Sequence, residues 1–256
     1  MHTVEVGGRE FAVCTHAEYP ELEAAAQGEG FLRQWPQFMF YDACAAEHYP
    51  TMFERYPHFQ FYIQDDHGPV VAYGNSIPLA WNGTADDLPG GWDDGLVRGA
   101  PGAVEGVGPD TLCALQATVS GRSHGRGLGT AIVQTMRRLA LKAGFEALIA
   151  PVRPSDKARY PLVPIERYVT WTRDDGMLLD PWLRVHQRAG ASLVSVAPES
   201  MMVLGTISDW EGWTEMHFPE SGDYIIPGAL VPVAMDTELD QGRYVESNVW
   251  MVHSLT

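Results

Sequence analysis

The sequence is poor in cysteine, in basic charge and in long apolar runs. Its 256 residues hold three thiols, Cys14, Cys44 and Cys113. So few, so widely spaced, they make neither a disulfide framework nor a zinc pattern, and the expected compartment is a reducing cytoplasm. No apolar run approaches the ~20 residues that span a bilayer, so no membrane role is expected. Met1-His2-Thr3-Val4-Glu5 lacks a basic stretch followed by an apolar core, so no secretory signal is expected either. Seventeen Lys/Arg against thirty-three Asp/Glu give a net charge of −16, which argues against a general nucleic-acid binder. Repeats, low-complexity tracts and a convincing linker are also missing. With 45% hydrophobic residues, the expectation is one elaborated domain over 1–256 with a sizeable core.

What is present is concentrated near the middle of the chain. From Arg122 to Arg188 there are twelve Lys/Arg and six Asp/Glu, a local +6 in a background of −22. That segment opens inside Val119-Ser120-Gly121-Arg122-Ser123-His124-Gly125-Arg126-Gly127-Leu128-Gly129-Thr130. Glycines at 125, 127 and 129 leave backbone N–H groups unshielded where a helix begins, which suits an anion such as a pyrophosphate. Upstream, Thr111 to Val119 reads as a strand. Downstream, Leu128, Ile132, Val133, Met136, Leu139, Ala140 and Ala143 recur at helical spacing, with Gly144 as a stop. Phe145 to Ala150 is the next strand. Asp180-Pro181 opens a helix ending at Gly190, and Ser192 to Ala197 is again a strand.

Elsewhere the signals are coarser. Glu18 to Gln27 and Tyr41 to Arg55 read as helices among prolines. Phe59 to Ile63 and Val70 to Gly74 make a hairpin around the turn Asp65-Asp66-His67-Gly68. Trp81 to Gly108, rich in Gly, Pro and Asp, reads as a long loop or mobile flap. Ser208-Asp209-Trp210-Glu211 reads as a capping box. Two nucleotide motifs fail on spacing. A dinucleotide fingerprint would need Gly where Thr130 stands, and a P-loop needs a Lys that this loop lacks.

The order strand, glycine loop, helix, strand, helix, Gly, strand resembles the GCN5-related N-acetyltransferase superfamily over residues 110–197. The loop is similar to that family's acyl-CoA signature, Arg/Gln-x-x-Gly-x-Gly/Ala, read here as His124-Gly125-Arg126-Gly127-Leu128-Gly129, with His in the first position. His186-Gln187-Arg188-Ala189-Gly190 matches the family's Tyr-x-x-x-Gly, with His in place of Tyr. The resemblance implies an α/β (α+β) fold. Its mixed central sheet would carry helices on both faces, with a long insert after the fifth strand and a C-terminal tail over 200–256.

It also implies an acetyl-CoA or other acyl-CoA co-substrate. Thr118, Val119, His124, Gly125, Arg126, Gly127, Leu128, Gly129 and Thr130 would hold it, and Arg122, Arg137 and Arg138 would reach the adenosine phosphates. His186 is the candidate acid for the leaving thiolate. Glu166 and Tyr168, with Glu47 and His48, are candidates for deprotonating the acceptor amine. No metal cluster and no Ser-His-Asp elbow is read, so direct attack on the thioester is expected. The acceptor would be a small molecule. The insert's Arg153, Lys157, Arg159, Tyr160, Arg167, Tyr168, Trp171 and Arg173 suit an anionic or aromatic acceptor, or the phosphopantetheine arm of an acyl carrier protein. A non-catalytic acyl-CoA sensor is the reading from another class.

Overall fold

The computed structural model of the chain describes residues 2–65, 68–100 and 108–255. Two strands come first, β1 (His2–Val6) and β2 (Arg9–Thr15), in a stretch to which the sequence reading assigns no element. The helices α1 (Glu23–Ala26), α2 (Glu29–Leu32) and α3 (Ala43–Arg55) follow. Asp42 starts α3 by accepting a bond from Ala45 N at 2.8 Å. Next come β3 (Gln60–Asp65) and β4 (Val70–Leu79); residues 66 and 67 of their turn lie outside the described residues. Then follow α4 (Trp92–Gly99), β5 (Thr111–Val119), α5 (Leu128–Lys142) and β6 (Ala147–Val152). After α6 (Ile165–Tyr168) and α7 (Pro181–Arg188) come β7 (Ser192–Gly205), α8 (Ile207–Thr214), β8 (Gly222–Tyr224), β9 (Val233–Asp236) and β10 (Gln241–Ser254).

Among the described residues ten strands form one sheet in the order β1-β2-β3-β4-β5-β6-β10, with β7 along the far edge of β10. β6 and β9 share the other edge of β10, at Val249–Ser254 and Gln241–Arg243. Every pairing is antiparallel except β5 with β6. Strand alternation gives the sheet two apolar faces. Cys113 and Leu115 of β5, Ile149 of β6 and Trp250 of β10 pack with α4 and α8 residues Trp92, Leu96 and Trp210. On the opposite face Leu112 and Leu148 meet Leu128, Ile132, Met136 and Ala140 of α5. Ala150, Val152, Val249 and Met251 meet Leu183 of α7. Helices therefore cover both faces, and the α5 stripe is as its spacing predicts, save that Ala143 is exposed at the helix end.

Four expectations change. The Trp81–Gly108 flap contains α4, whose Trp92 and Leu96 are core residues; residues 101–107 lie outside the described ones. The long insert follows the sixth strand, because the N-terminal hairpin adds to the count. The capping box of α8 is Thr206 with Asp209, two residues before the expected Ser208. The C-terminal elaboration supplies β10, a central strand, so it is part of the main sheet.

Candidate active site

β5 and β6 pair only at Thr111–Cys113 with Ala147–Ile149. Beyond Cys113 the two strands part, and a cavity of about 1150 Å³ occupies the wedge. Its walls include every residue from Ala114 to Val119 and from Ala150 to Arg153. Successive side chains of a strand point to opposite faces, so a cavity lined by six in a row runs along the strand edge and through the sheet. It opens on one side between α5 and α7, and on the other beneath α1 and α3.

The α5 side is built from backbone. Gly125 and Gly127 have φ of +76° and +87°, and Gly127 ends the loop at the start of α5. That conformation is open to glycine and strained for other residues. No side chain caps α5; Thr130 N and Ala131 N donate back to Gly127 O at 3.1 and 3.3 Å. The preceding amides form an electropositive helix start. Gly129 is needed for closeness, since a Cβ there would sit 3.0 Å from Trp182 of α7. His124 Nε2 donates to Val119 O at 3.0 Å and ties loop to strand.

Of the loop residues singled out from sequence, Thr118, Val119, His124, Gly125, Gly127, Leu128 and Gly129 line the cavity. Arg126 and Thr130 do not, and the Thr130 amide is spent on Gly127. Arg137 is turned to His253 at 3.2 Å, and Arg138 lies 3.5 Å from Thr3 O.

The α1/α3 side is built from side chains. Ala45, Tyr49 and Phe53 recur every four residues on the cavity face of α3, joined by Glu54. Tyr49 Oη bonds Gln116 Oε1 and lies 2.9 Å from Asn75 Oδ1. Gln116 Nε2 donates to Tyr73 Oη at 2.7 Å. Glu23 and Gln27 of the α1 region and Tyr62 of β3 complete this end. Burial holds the Tyr49 and Tyr73 hydroxyls above the usual phenol range, so both stay protonated. Behind them Asp42 and Asp93 face each other, and Asp42 Oδ2 and Asp93 Oδ1 are buried without a hydrogen-bond partner among the described residues. A proton held between them satisfies both atoms. Burial first, then Asp42, raises Asp93 to about 7.

The proposed catalytic residues divide. His186 lines the cavity, but burial and then His253 lower its pKa to about 3. It is neutral near pH 7 and has no imidazolium proton to give. Tyr168 Oη donates to Asp180 Oδ2 at 2.9 Å, holding α6 to the α7 cap. Neither Tyr168 nor Glu166 is among the cavity walls, and neither are Glu47 and His48, which pair at 3.7 Å.

The insert likewise packs as structure. Lys157 is fully buried and donates to Tyr160 O and Leu230 O, while Tyr160, Tyr168 and Trp171 pack edge-on or tilted against one another. From the insert only Arg153 and Ser155 line the cavity, and Arg153 is bound to the buried Glu246 at 2.8 Å. Sequence reading missed Tyr49, Tyr73, Asn75 and Gln116. The i, i+4 spacing of Ala45, Tyr49 and Phe53 would have indicated the face of α3. Polar Gln116 and Thr118, two apart in an apolar strand, would have marked β5.

No protein-family model matches the chain. An arginine N-acetyltransferase, avaD, from Aspergillus versicolor is 36% identical over 250 residues, covering 86% of this chain and 85% of that protein. The loading GNATL domain of CurA from Lyngbya majuscula superposes with a TM-score of 0.57 at 15% identity, covering 96% of this chain and 98% of that one. The GphF GNAT-like decarboxylase in complex with isobutyryl-CoA gives 0.57 at 17%, covering 96% and 99%. At such identities the two structures speak for the fold alone, whereas the avaD match runs along most of both chains. Sequence, sheet topology and the glycine loop agree: the chain belongs to the GCN5-related N-acetyltransferase superfamily and is an N-acyltransferase.

Proposed function

We propose that the protein moves an acetyl group from acetyl-CoA to an amine nitrogen of a small cationic amino acid, arginine being the first to test. The cavity through the sheet carries this reading. One mouth offers bare helix-start amides for a pyrophosphate, and the other holds the carboxylates of Glu23 and Glu54 for a cationic acceptor. The wedge between β5 and β6 joins them where a pantetheine-sized chain would lie along the free strand edge. The relative from Aspergillus versicolor is named as an arginine N-acetyltransferase, which makes arginine the first acceptor to try here.

The chain's own residues suit direct transfer. Among the described residues no cysteine lines the cavity, and burial raises the Cys44 thiol to about 12, so no thiolate stands ready to take the acyl group. The amine nitrogen forms a bond to the thioester carbon, the carbon–sulfur bond breaks with its electron pair on sulfur, and the proton shed by nitrogen balances the thiol. Tyr49, Tyr73 and Gln116 orient the groups at the crossing point.

The test is thiol release from acetyl-CoA with arginine, ornithine, lysine, agmatine and neutral amino acids, with the product identified by mass. The expected result is the highest kcat/KM for a cationic amino acid, with one acetyl group gained per thiol freed. Release with none of the amines, or a preference for neutral ones, would overturn the reading.

A further inference from the structure

A lone fixed cation stands in a cavity whose other charges are carboxylates. Among the described residues Arg153 is the only Lys or Arg on the cavity wall, against Glu23, Glu54 and Glu246. It follows β6 directly. β5 and β6 run in register, Thr111 beside Ala147 and Cys113 beside Ile149. Carried past the split, that register sets Arg153 across the wedge from Gln116 to Thr118. Its partners fix the side of the sheet. Arg153 Nε donates to Glu246 Oε2 at 2.8 Å, and Nη2 donates to Gly228 O at 2.6 Å. Glu246 Oε1 accepts from Asn248 Nδ2 at 3.0 Å. Asn248 Oδ1 accepts from Ser200 Oγ, which accepts from Trp92 N at the start of α4. The Trp92 ring lies nearly parallel to that of Tyr49, 6.3 Å between centroids. Arg153 therefore belongs to the Tyr49 side of the wedge, the acceptor side, and not to the α5 amides.

A count of donors shows what this cation lacks. A guanidinium carries five N–H groups and accepts nothing. Glu246 and Gly228 O take two, and the Tyr244 hydroxyl accounts for at most one more. At least two remain, on a side chain only 18% exposed. Glu246 is the opposite case. Its two oxygens receive Arg153, Tyr244 Oη at 2.7 Å and Asn248, so it is fully occupied. Stability does not account for the pair, because a buried ion pair is often no better than apolar side chains of the same volume. Largely buried N–H groups without acceptors are costly, and the space that Arg153 faces is the cavity.

We propose that Arg153 determines specificity by binding a carboxyl-derived oxygen of the acceptor, a free carboxylate or an amide carbonyl, while Glu23 and Glu54 take the acceptor's cationic group. This rests on the acyl-transfer reading above. The planar guanidinium matches a carboxylate with two parallel bonds, or a carbonyl with fewer. Glu246 and Gly228 O hold the group in place, so little side-chain entropy is lost on binding. Charge also sorts the two ends of the acceptor. Arg153 repels a guanidinium or ammonium, and the two exposed-side carboxylates repel a carboxylate, so the acceptor enters in one orientation. A diamine without the oxygen fits the carboxylates but leaves Arg153 unpaired, and is selected against for that reason.

The test compares three acceptors that share one guanidinium: arginine, argininamide and agmatine, which has neither carboxylate nor carbonyl. Thiol release from acetyl-CoA is measured for each with the intact protein. The expected kcat/KM for arginine or argininamide exceeds that for agmatine by about 10- to 100-fold, the scale of hydrogen bonds to a charged group. Arginine well above argininamide assigns a carboxylate, and the two together above agmatine assign a carbonyl. The amines differ in intrinsic reactivity, so the same ratios are taken in Arg153→Gln/Glu246→Gln, which removes the cation without stranding a buried carboxylate. There the preference over agmatine should shrink to about threefold or less, while KM for acetyl-CoA stays near the wild-type value. Arg153→Lys, which keeps a charge beside Glu246 and loses the planar fork, should fall between.

Equal kcat/KM for the three acceptors in the wild type, or a preference that both variants retain, overturns the inference and leaves acyl transfer to cationic amines standing. Release of thiol with none of the three overturns acyl transfer to arginine-like acceptors itself. If the double variant does not fold, the ratios in Arg153→Lys decide the matter.

Discussion

The two mouths of the cavity are made of different material. The α5 side is backbone: amides at a helix start, two residues at positive φ and one glycine kept bare to let α7 approach. The α1/α3 side is side chains, Tyr49, Gln116, Glu23 and Glu54, drawn from elements far apart in sequence. A backbone cradle recognises what all its ligands share, and few single substitutions can retune it. A side-chain wall is retuned by one substitution. The contrast explains how a fold can keep one donor and vary its acceptors.

The largest expected break in this contrast comes from Gly127→Val. A β-branched residue at φ +87°, with Val6 only 3.1 Å from its Cβ, costs roughly 1–2 kcal/mol in the left-handed region. KM for acetyl-CoA should rise about 5- to 30-fold, with the acceptor KM much less affected; steady-state kinetics on both substrates checks it. An unchanged donor KM would mean that the cradle is not the donor site.

Smaller effects are expected at the other mouth. Glu54→Gln and Glu23→Gln should each raise KM for a cationic acceptor about two- to fivefold, the scale of an exposed or half-exposed ion pair, and leave neutral amines alone. Equal changes for arginine and a neutral amine would show that charge is not what the wall reads.

The subtlest effect is in stability against pH. Asp93, raised to about 7 by burial and then by Asp42, joins α4 to the cap of α3. An unfolded Asp loses its proton near pH ~3.9. Between there and pH 7 the native chain holds a proton that the unfolded chain has lost, so stability falls as pH rises through this window. Asp93→Asn should flatten that fall in thermal melts from pH 5 to 8. A slope equal to the wild type's would remove the carboxyl pair from the account.

The same difference of material decides what could be read from sequence. The glycine loop, β5, α5 and the Asp180 cap are local patterns, and β5 has the bounds its residues indicate. The α1/α3 side depends on which face of α3 turns inward, which is set by packing; hence the sequence reading names the neighbours Glu47 and His48 and does not reach Tyr49. α4 was hidden by its glycines. Gly99 lets the helix lie on Ile77, where a Cβ would come within 2.4 Å, so residues that read as loop formers serve close packing. The cations of the insert suggested a binding surface, but Lys157 is consumed by Leu230 O and Tyr160 O, and Arg153 gives part of its donor set to Gly228 O and Glu246.

β10 has a bearing on how the chain is made. It is the partner of β7 along Ser192–Gly205 and of β6 and β9 on its other edge. A ribosome adding about 5–20 residues per second releases β6 and β7 before residues 241–254 exist to receive them. For those seconds the fourteen residues of β7 present a strand without its mate, the state most prone to pair with another nascent chain. The interval between the completion of β7 and that of β10, after the glycine loop has been made, is when the growing chain is most open to such pairing.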